Sequence, residues 1–371
     1  MSYMHESESM MQSIMKKVVT LLIGLGLFLL GCEKKDQEPE YIAYTSIAAG
    51  TRFSLAVRTD GTLWAWGENE YGQLGDGTKS ESVVPRQVGA GFVAVAAGND
   101  ISLALKLDGT LWTSGRYYTA DGFTEFRYTF EKIGDNYSQI AAGGTDCLAL
   151  KNDGTLWEWD GPHHSEIDPR KIGDDFVAIS RSKSHGFGLK TNGEYWAWDD
   201  LSEGELGNGT LVSGYPSVPV ETYYALLSAG NRFSVGVKED GTMWTMGLND
   251  VCQLGDGTTE NKHIAIQIGT GFSYTSASYA QAFAIKTDGS LWAWGFNHVG
   301  QLGDGSTITR ETPVKIGDDF VEIAANELHT LGIKSDGTLW AWGQNTYGQL
   351  GDGTRANREE PVKIKSFPRE F

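Results

Sequence analysis

The sequence has few cysteines and few basic residues, and each shortage excludes a class of protein. Three cysteines occur in 371 residues, and Cys147 and Cys252 stand in different repeats at different positions. A disulfide between them is therefore not expected, and the count supplies neither a zinc ligand set nor a redox motif. There are 30 Lys and Arg against 48 Asp and Glu, which gives a net charge of −18. This balance disfavours nucleic acid, which requires clustered cations, and adhesion to anionic lipid.

Local motifs for catalysis are also absent from the sequence. It contains no G-x-x-x-x-G-K-[ST] loop for phosphate, no H-E-x-x-H and no G-x-S-x-G. The conspicuous carboxylates are all repeat elements, whereas acid–base catalysis usually uses a unique pair. We therefore predict no catalytic residue, no cofactor and no metal. A hydrolase or lyase with a site assembled in an axial channel stays open as an alternative.

The one long apolar run lies near the N-terminus. Residues 15–17 are Met-Lys-Lys, residues 18–30 are apolar, and Cys32 follows Leu-Leu-Gly. This order is typical of a signal peptide, and its last four residues resemble a bacterial lipobox in which Cys32 becomes lipidated. Met15 is an alternative initiator to Met1. Glu33 after the lipobox favours the outer membrane over the inner one, by resemblance to enteric lipoproteins.

A unit close to Asp-Gly-Thr-Leu-Trp-Ala-Trp-Gly occurs seven times, at steps of 48, 45, 39, 48, 48 and 48 residues. A period of this size predicts an array of one small structural unit. Each unit holds four strand-length runs with alternating apolar residues, and Asp-Gly marks a tight hairpin turn. The turns begin at Asp60, Asp108, Asp153, Asn192, Asp240, Asp288 and Asp336.

The twelve tryptophans all fall in this scheme. Seven occupy the first Trp position of the unit and five the second, and residues two apart share one face of a strand. We predict that both project between neighbouring sheets. A small residue also recurs six positions before each turn, from Ser54 to Thr330, and is expected at a crowded axis.

The ends of the repeat array predict how it closes. The first unit begins in its middle near residue 41, and the chain ends its last unit with Glu-Pro-Val-Lys-Ile at 360–364. We predict that this C-terminal strand pairs with the N-terminal blade and closes an all-β, seven-bladed β-propeller of four-stranded blades. The predicted segments are a signal peptide with lipobox (1–31), a lipidated Cys32 with a flexible tether (32–40), the propeller (41–366) and a C-terminal tail (367–371).

The extended motif Ala-Ala-Gly-x-x-x-Ser-Leu-Ala-Leu-Lys-x-Asp-Gly-Thr-Leu-Trp-Ala-Trp-Gly-x-Asn-x-x-Gly-Gln-Leu-Gly-Asp-Gly-Thr resembles the repeat of the regulator of chromosome condensation (RCC1) family over residues 41–366. The resemblance implies a seven-bladed propeller. The family's strand His is kept at His329 and His185. The founder's nucleotide exchange on a small GTPase at chromatin is not expected of an acidic, exported lipoprotein, so we predict neither partner. A secreted bacterial relative that covers an enzyme's active site implies a protein-binding disc.

Units 2, 3 and 4 depart from the internal consensus. After Gly115, residues 116–128 replace the Gln-Leu-Gly-Asp-Gly loop with aromatic and Arg residues, which protein interfaces prefer. The alternative is an ordinary hairpin whose aromatics fold back on blade 2. The predicted partner-binding residues are Arg116, Tyr117, Tyr118, Phe123, Phe126 and Arg127.

Three further groups of residues are candidate sites. In unit 3, His163, His164 and Glu166 could bind a divalent metal, but an exposed turn explains them better, because they lack strong zinc spacing. Cys147 is expected to be packed and inert, and Cys252 to be partly exposed. Calcium binding is less expected than backbone bonding for the repeated loop aspartates Asp76, Asp256, Asp304 and Asp352.

Together, these patterns predict an exported, lipid-anchored scaffold that binds another protein of the cell envelope. A glycan-binding module is the main alternative within the binding class.

Overall fold

In the computed structural model, the structure describes residues 42–118, 124–159, 170–212, 217–220 and 223–365. Seven four-stranded antiparallel sheets account for the fold, and each takes four consecutive strands of the chain. The described residues contain no helix, and therefore none long and apolar enough to cross a membrane. The predicted seven-bladed propeller is confirmed.

Each blade is one segment of chain. Blades 1 and 2 comprise β1 (Tyr44–Ala49), β2 (Phe53–Arg58), β3 (Leu63–Gly67), β4 (Ser82–Gly89), β5 (Phe92–Ala97), β6 (Ile101–Lys106), β7 (Leu111–Tyr118) and β8 (Thr124–Gly134). Blades 3 and 4 comprise β9 (Tyr137–Gly143), β10 (Asp146–Lys151), β11 (Leu156–Trp159), β12 (Arg170–Gly173), β13 (Phe176–Arg181), β14 (His185–Lys190), β15 (Tyr195–Asp199) and β16 (Val218–Val220).

The same order continues to the end of the ring. Blade 5 comprises β17 (Leu226–Ala229), β18 (Phe233–Val237), β19 (Met243–Gly247) and β20 (Lys262–Gly269). Blades 6 and 7 comprise β21 (Phe272–Ala277), β22 (Gln281–Lys286), β23 (Leu291–Gly295), β24 (Arg310–Gly317), β25 (Phe320–Ala325), β26 (His329–Lys334), β27 (Leu339–Gly343) and β28 (Arg358–Lys363).

The first strands of successive blades contact one another, so they surround the axis. We call the side with the Asp-Gly turns the turn face, and the opposite side the loop face. On the loop face, the connection between third and fourth strands reaches onto the outer strand of the next blade. For example, the Gly257 amide donates to the Glu311 carbonyl at 2.9 Å. We call such a connection a clasp. Among the described residues, five blades have one, at residues 73–77, 205–209, 253–257, 301–305 and 349–353.

In three blades, the second Trp of the unit holds a clasp in place. The indole Nε1 of Trp342 in blade 7 donates to the Gln301 carbonyl in the clasp of blade 6 at 3.0 Å, and Trp294 bonds Gln253 in the same way. Both indoles are completely buried. The predicted position of these tryptophans between sheets is confirmed.

The small residues do not line the axis, and that prediction is wrong. They lie on the second strands, where the Ser234 hydroxyl donates to the Glu205 carbonyl and the Thr330 hydroxyl to the Gln301 carbonyl, both at 2.9 Å. A Cβ on Gly186 would come within 2.7 Å of the Trp198 indole. Small side chains are needed at this position because the indole and the clasp occupy the space beside it.

The predicted pairing of the C-terminal strand with the N-terminal blade is also wrong. β28 pairs with β27 in its own blade, and blade 1 is complete without it. The ring closes by contact between whole blades: Trp66 Nε1 donates to the Gln349 carbonyl at 2.8 Å, and Ser54 Oγ lies 2.9 Å from His329 Nε2. The physical reason is that β4 already pairs with β3 at the outer edge of blade 1, whereas the outer edge of β27 would stay unpaired without β28.

One Lys or Arg side chain lies over the ring of the first Trp in each unit, and this contact was not predicted. The Arg58 guanidinium lies 3.9 Å from the Trp64 ring centroid, and the Lys334 ammonium lies 4.8 Å from that of Trp340. The same pairing occurs in all seven blades. Each pair covers an indole that is buried at Trp64 and partly buried in the other six blades, and adds a cation–π attraction of about 0.5–1 kcal/mol.

Candidate functional site

The longest hairpin among the described residues extends from the loop face of blade 2. β7 and β8 stay paired up to Tyr118 and Thr124, whereas β6 begins opposite Gly115. The ribbon therefore extends beyond the sheet that supports it. It forms because blade 2 lacks the glycine-rich clasp sequence and has alternating aromatic residues instead, which favour an extended backbone.

The base of this hairpin packs against blade 1. The Phe126 ring stacks on Tyr71 with 5.6 Å between centroids, and the Arg116 guanidinium lies 3.9 Å from the Tyr71 ring. Arg116 is also paired with Asp100 at 3.3 Å. Phe126 thus packs onto the loop of blade 1, and not onto blade 2 as the alternative predicted.

A second group of side-chain contacts lies on the opposite face of the hairpin from Phe126 and Arg116. The Arg127 guanidinium lies 3.8 Å from the Tyr117 ring and 3.0 Å from the Glu131 carboxylate. The Tyr117 hydroxyl donates to Glu125 at 2.5 Å, and this bond is the main reason that the pKa of Tyr117 is raised. Phe126 remains 37% exposed. The result is an ordered surface of stacked Tyr, Phe and Arg side chains, accessible from the loop face.

The structure brings together four of the six predicted contact residues, Arg116, Tyr117, Phe126 and Arg127. The backbone of Tyr118 belongs to β7, and Phe123 lies outside the described residues. Sequence reasoning missed Tyr71. No local signal marked it, because the equivalent position two residues before the clasp Gln holds Val in two sister units and Tyr347 in a third.

Glu322 is the single carboxylate in the seven first strands, which surround the axis. Its Oε1 accepts the Ile47 amide at 3.3 Å and links blade 7 to blade 1. Tyr274 makes a similar link, because its hydroxyl donates to the Ile323 carbonyl at 2.9 Å. The first strands therefore supply no carboxylate pair of the kind that a hydrolase or lyase would use.

Burial raises the pKa of Glu322 to about 7. The folded protein therefore keeps a proton that the unfolded chain releases near pH 4.5, so this residue lowers stability as pH rises between these values. We expect Glu322→Gln to increase the free energy of unfolding by roughly 1–3 kcal/mol at pH 8 and to change it little at pH 4. Urea unfolding at both pH values checks this, and equal effects at pH 4 and 8 would contradict it.

A buried ion cluster joins blades 3 and 4. Arg181 contacts Asp199 of its own blade and lies 2.6 Å from Asp146 and 3.9 Å from Glu158 of blade 3. The Arg181 and Glu158 side chains are each 3% exposed. In all six sister units, the position of Arg181 is Ala. The cluster occupies a seam where the described residues include no clasp, so it supplies an alternative link between the blades.

The two retained histidines are buried links between neighbouring blades. His329 lies against Ser54, and His185 Nε2 lies 3.2 Å from Ser234 Oγ. Burial lowers the pKa of each histidine to about 3, so both are neutral near pH 7. They hold the ring together and are not exposed to a ligand.

Cys252 is buried, and the prediction that it is partly exposed is wrong. Burial and the nearby Glu311 and Asp256 carboxylates raise the pKa of its thiol, which disfavours the reactive thiolate. Cys252 has a φ of 64° at a position where Gly72 and Gly300 stand in sister units, so its backbone follows the clasp geometry. Cys147 is completely buried, as predicted.

The repeated loop aspartates bond their own loops. Asp304 accepts the Ser306 amide at 3.1 Å and pairs with Arg310 at 2.5 Å. Asp352 accepts the Thr354 amide at 2.9 Å and pairs with Arg358. The backbone explanation is confirmed, and no set of three or more His, Cys, Asp or Glu side chains among the described residues could hold a metal. His163, His164 and Glu166 lie outside those residues, as does Cys32.

Comparison with known proteins agrees with the repeat assignment. A sequence profile of the regulator of chromosome condensation (RCC1) repeat matches residues 60–105, 288–333 and 336–371, and a second matches 44–73 and 320–349. The ultraviolet-B receptor UVR8 of Arabidopsis thaliana is 40% identical over 55 residues, which is 15% of this chain and 12% of the receptor. The match thus spans about an eighth of that relative's length.

Solved structures with the same fold are distant in sequence. Prp20p of Saccharomyces cerevisiae has a TM-score of 0.72 at 18% identity, covering 83% of this chain and 86% of its own. Human WBSCR16 has a TM-score of 0.71 at 14% identity, with coverage of 82% and 94%. At these identities the likeness shows the fold alone. The RCC1 repeat profiles thus match the first and the last two blades of the propeller, where the sequence resemblance predicted such repeats.

Proposed function

We propose that this chain is a lipid-anchored scaffold that binds another protein of the cell envelope through the loop face of blades 1 and 2. The observation that carries the proposal is the contact between the hairpin of blade 2 and the loop of blade 1. There the Tyr71 ring stacks with Phe126 and with the Arg116 guanidinium. Rigid aromatic and Arg side chains contribute strongly to protein interfaces, because they bury a large area with little loss of conformational freedom.

The similar structures support protein binding as a use of this fold. The structure of Prp20p was described together with its binding to Gsp1p and histones, and yeast RCC1 was solved with bound Kap60. Those partners are not carried over to this chain. Its net charge of −18 opposes nucleic acid, and its N-terminal sequence resembles that of an exported protein.

The anchor is part of the same proposal. A lipidated Cys32 followed by a polar tether would hold the propeller near a membrane, with the outer membrane favoured by Glu33. One lipid on the chain confines the disc to the envelope, which raises its effective concentration toward other envelope proteins. Mass spectrometry of the intact membrane-extracted protein tests the lipid on Cys32.

We expect Phe126→Ser to weaken capture of the partner at least tenfold, because it removes the exposed ring of the stack. The experiment compares cross-linked partners from envelope extract for the wild type, Phe126→Ser and Leu107→Ser. Leu107 is 86% exposed on the turn face of the same blade, so it is a matched change of an exposed apolar residue. Equal loss in both variants would contradict the loop-face site.

Failure of the wild type to capture any protein would contradict the partner class. A glycan array with the same three proteins then tests the alternative binding class.

A further inference from the structure

The clasp between blades 4 and 5 differs from its four sisters at one buried side chain. The sister clasps begin with Gln73, Gln253, Gln301 and Gln349, and this one begins with Glu205. All five side chains are buried. In the sisters the side-chain oxygen accepts a backbone amide two residues earlier, as Gln253 does from Val251 at 2.9 Å.

In three of the four sisters, the side-chain amide nitrogen makes a second bond that Glu205 cannot make, whereas Gln73 Nε2 has no partner. Gln253 Nε2 donates to Asp250 Oδ1 at 3.0 Å, and Gln349 Nε2 donates to Gln344 Oε1 at 3.3 Å. Glu205 Oε2 accepts the Glu203 amide at 2.9 Å, but its Oε1 is buried without a partner. An acceptor oxygen therefore stands where the sister clasps have a donor.

The charged groups around Glu205 do not compensate an ionised carboxylate. Asp200 and Glu203 precede it in the same loop, and Arg232 from blade 5 lies 3.7 Å from Asp200 and 3.8 Å from Glu203. On β20, His263 Nδ1 lies 3.1 Å from the Glu203 carbonyl, and Lys262 is paired with Asp256 and Glu260. On β14, the neutral His185 bonds Ser234, which in turn bonds the Glu205 carbonyl.

This clasp holds the two blades together by backbone bonds. The Gly209 amide donates to the His263 carbonyl and the Ala265 amide donates to the Gly207 carbonyl, both at 2.8 Å. Leu206 is buried between the blades. Opening the clasp would expose Glu205 to water and break these two bonds while the four sister clasps stay closed.

We propose that the clasp of residues 205–209 is proton-dependent: it stays closed when the Glu205 carboxyl is neutral and opens more readily when that carboxyl is ionised. The neutral acid fits a buried site without a compensating cation, whereas an ionised carboxylate is better solvated in the open state. Burial raises the pKa of Glu205 to about 7. The closed state thus binds a proton that the open state releases near pH 4.5, and closure weakens as pH rises between these values.

Amide hydrogen exchange tests the proposal within one molecule. The Gly209 and Ala265 amides report on this clasp, and the Gly257 amide, bonded to the Glu311 carbonyl, reports on the sister clasp that begins with Gln253. After correction for intrinsic exchange rates, we expect protection of Gly209 and Ala265 to fall on the order of 50- to 100-fold more than that of Gly257 from pH 5 to pH 8.

Two variants decide whether the carboxyl is responsible. Glu205→Gln restores the sister residue and should remove the extra pH dependence, while Gln253→Glu should transfer it to Gly257. Equal pH dependence of Gly209 and Gly257 in the wild type would overturn the proposal. Persistence of the difference in a folded Glu205→Gln protein would overturn it as well.

Discussion

Arg181→Met is expected to lower the free energy of unfolding by roughly 3–5 kcal/mol, because it removes the cation from Asp146 and Asp199, whereas Glu158 keeps its pair with Arg170. Arg181 is 3% exposed and contacts both Asp146 and Asp199, and Glu158 beside it is equally buried. Methionine keeps much of the side-chain volume, so the loss comes mainly from charge. Denaturant unfolding at pH 7 measures it.

The matched control for this prediction is Arg232→Met. Arg232 is 48% exposed and makes two longer ion pairs, so its loss is expected to cost under about 1 kcal/mol. The cost of Arg181→Met should also decrease at low pH, where the buried carboxylates become protonated and no longer require a cation. An equal, pH-independent cost for the two variants would show that Arg181 acts by packing alone.

Trp66→Ala is expected to destabilise the protein by roughly 3–5 kcal/mol, the range for removing a fully buried aromatic side chain. Trp66 lies between blades 1 and 7 and donates to the Gln349 carbonyl at 2.8 Å, so its loss affects the closure of the ring. Trp294 makes the equivalent bond between blades 5 and 6. Thermal or urea unfolding of both alanine variants measures the two seams.

The two alanine variants compare the seam that closes the ring with a seam between consecutive blades. If closure depends on packing between whole blades, Trp66→Ala and Trp294→Ala should cost the same within about 1 kcal/mol. A second pair, Trp66→Phe and Trp294→Phe, keeps most of the apolar area and removes the indole bond, for a smaller loss of about 1–3 kcal/mol. A negligible effect at Trp66 alone would show that the ring is held closed by other contacts.

The repeat made most of the fold predictable from the sequence. Asp-Gly turns, paired tryptophans and alternating strands are local signals, and each recurs at a fixed spacing, so seven weak indications reinforce one another. The pairing of β28 was not predictable in this way. A fourth strand has the same apolar pattern whether it joins its own blade or the next one, and the loop before it permits either.

The candidate site was less predictable, because its contacts join different repeats. The aromatic hairpin was recognisable as a departure from the consensus, but Tyr71 resembles an ordinary clasp residue until Phe126 is placed on it. Arg181 and its carboxylates come from four different positions of two units, so no local pattern connects them. The exchange of Gln for Glu205 was visible in the sequence, but its burial was not.

The way in which the ring closes also has a consequence for how the chain acquires its structure. The bonds between Ser54 and His329 and between Trp66 and Gln349 join residues 275 and 283 positions apart. During synthesis, the first six blades can form from nearby residues, but the apolar side of blade 1 stays uncovered until the last blade exists. Non-local contacts of this kind form slowly and leave intermediates prone to aggregation. In a nascent chain, this side of blade 1 therefore stays uncovered until blade 7, which begins at Phe320, has been synthesised.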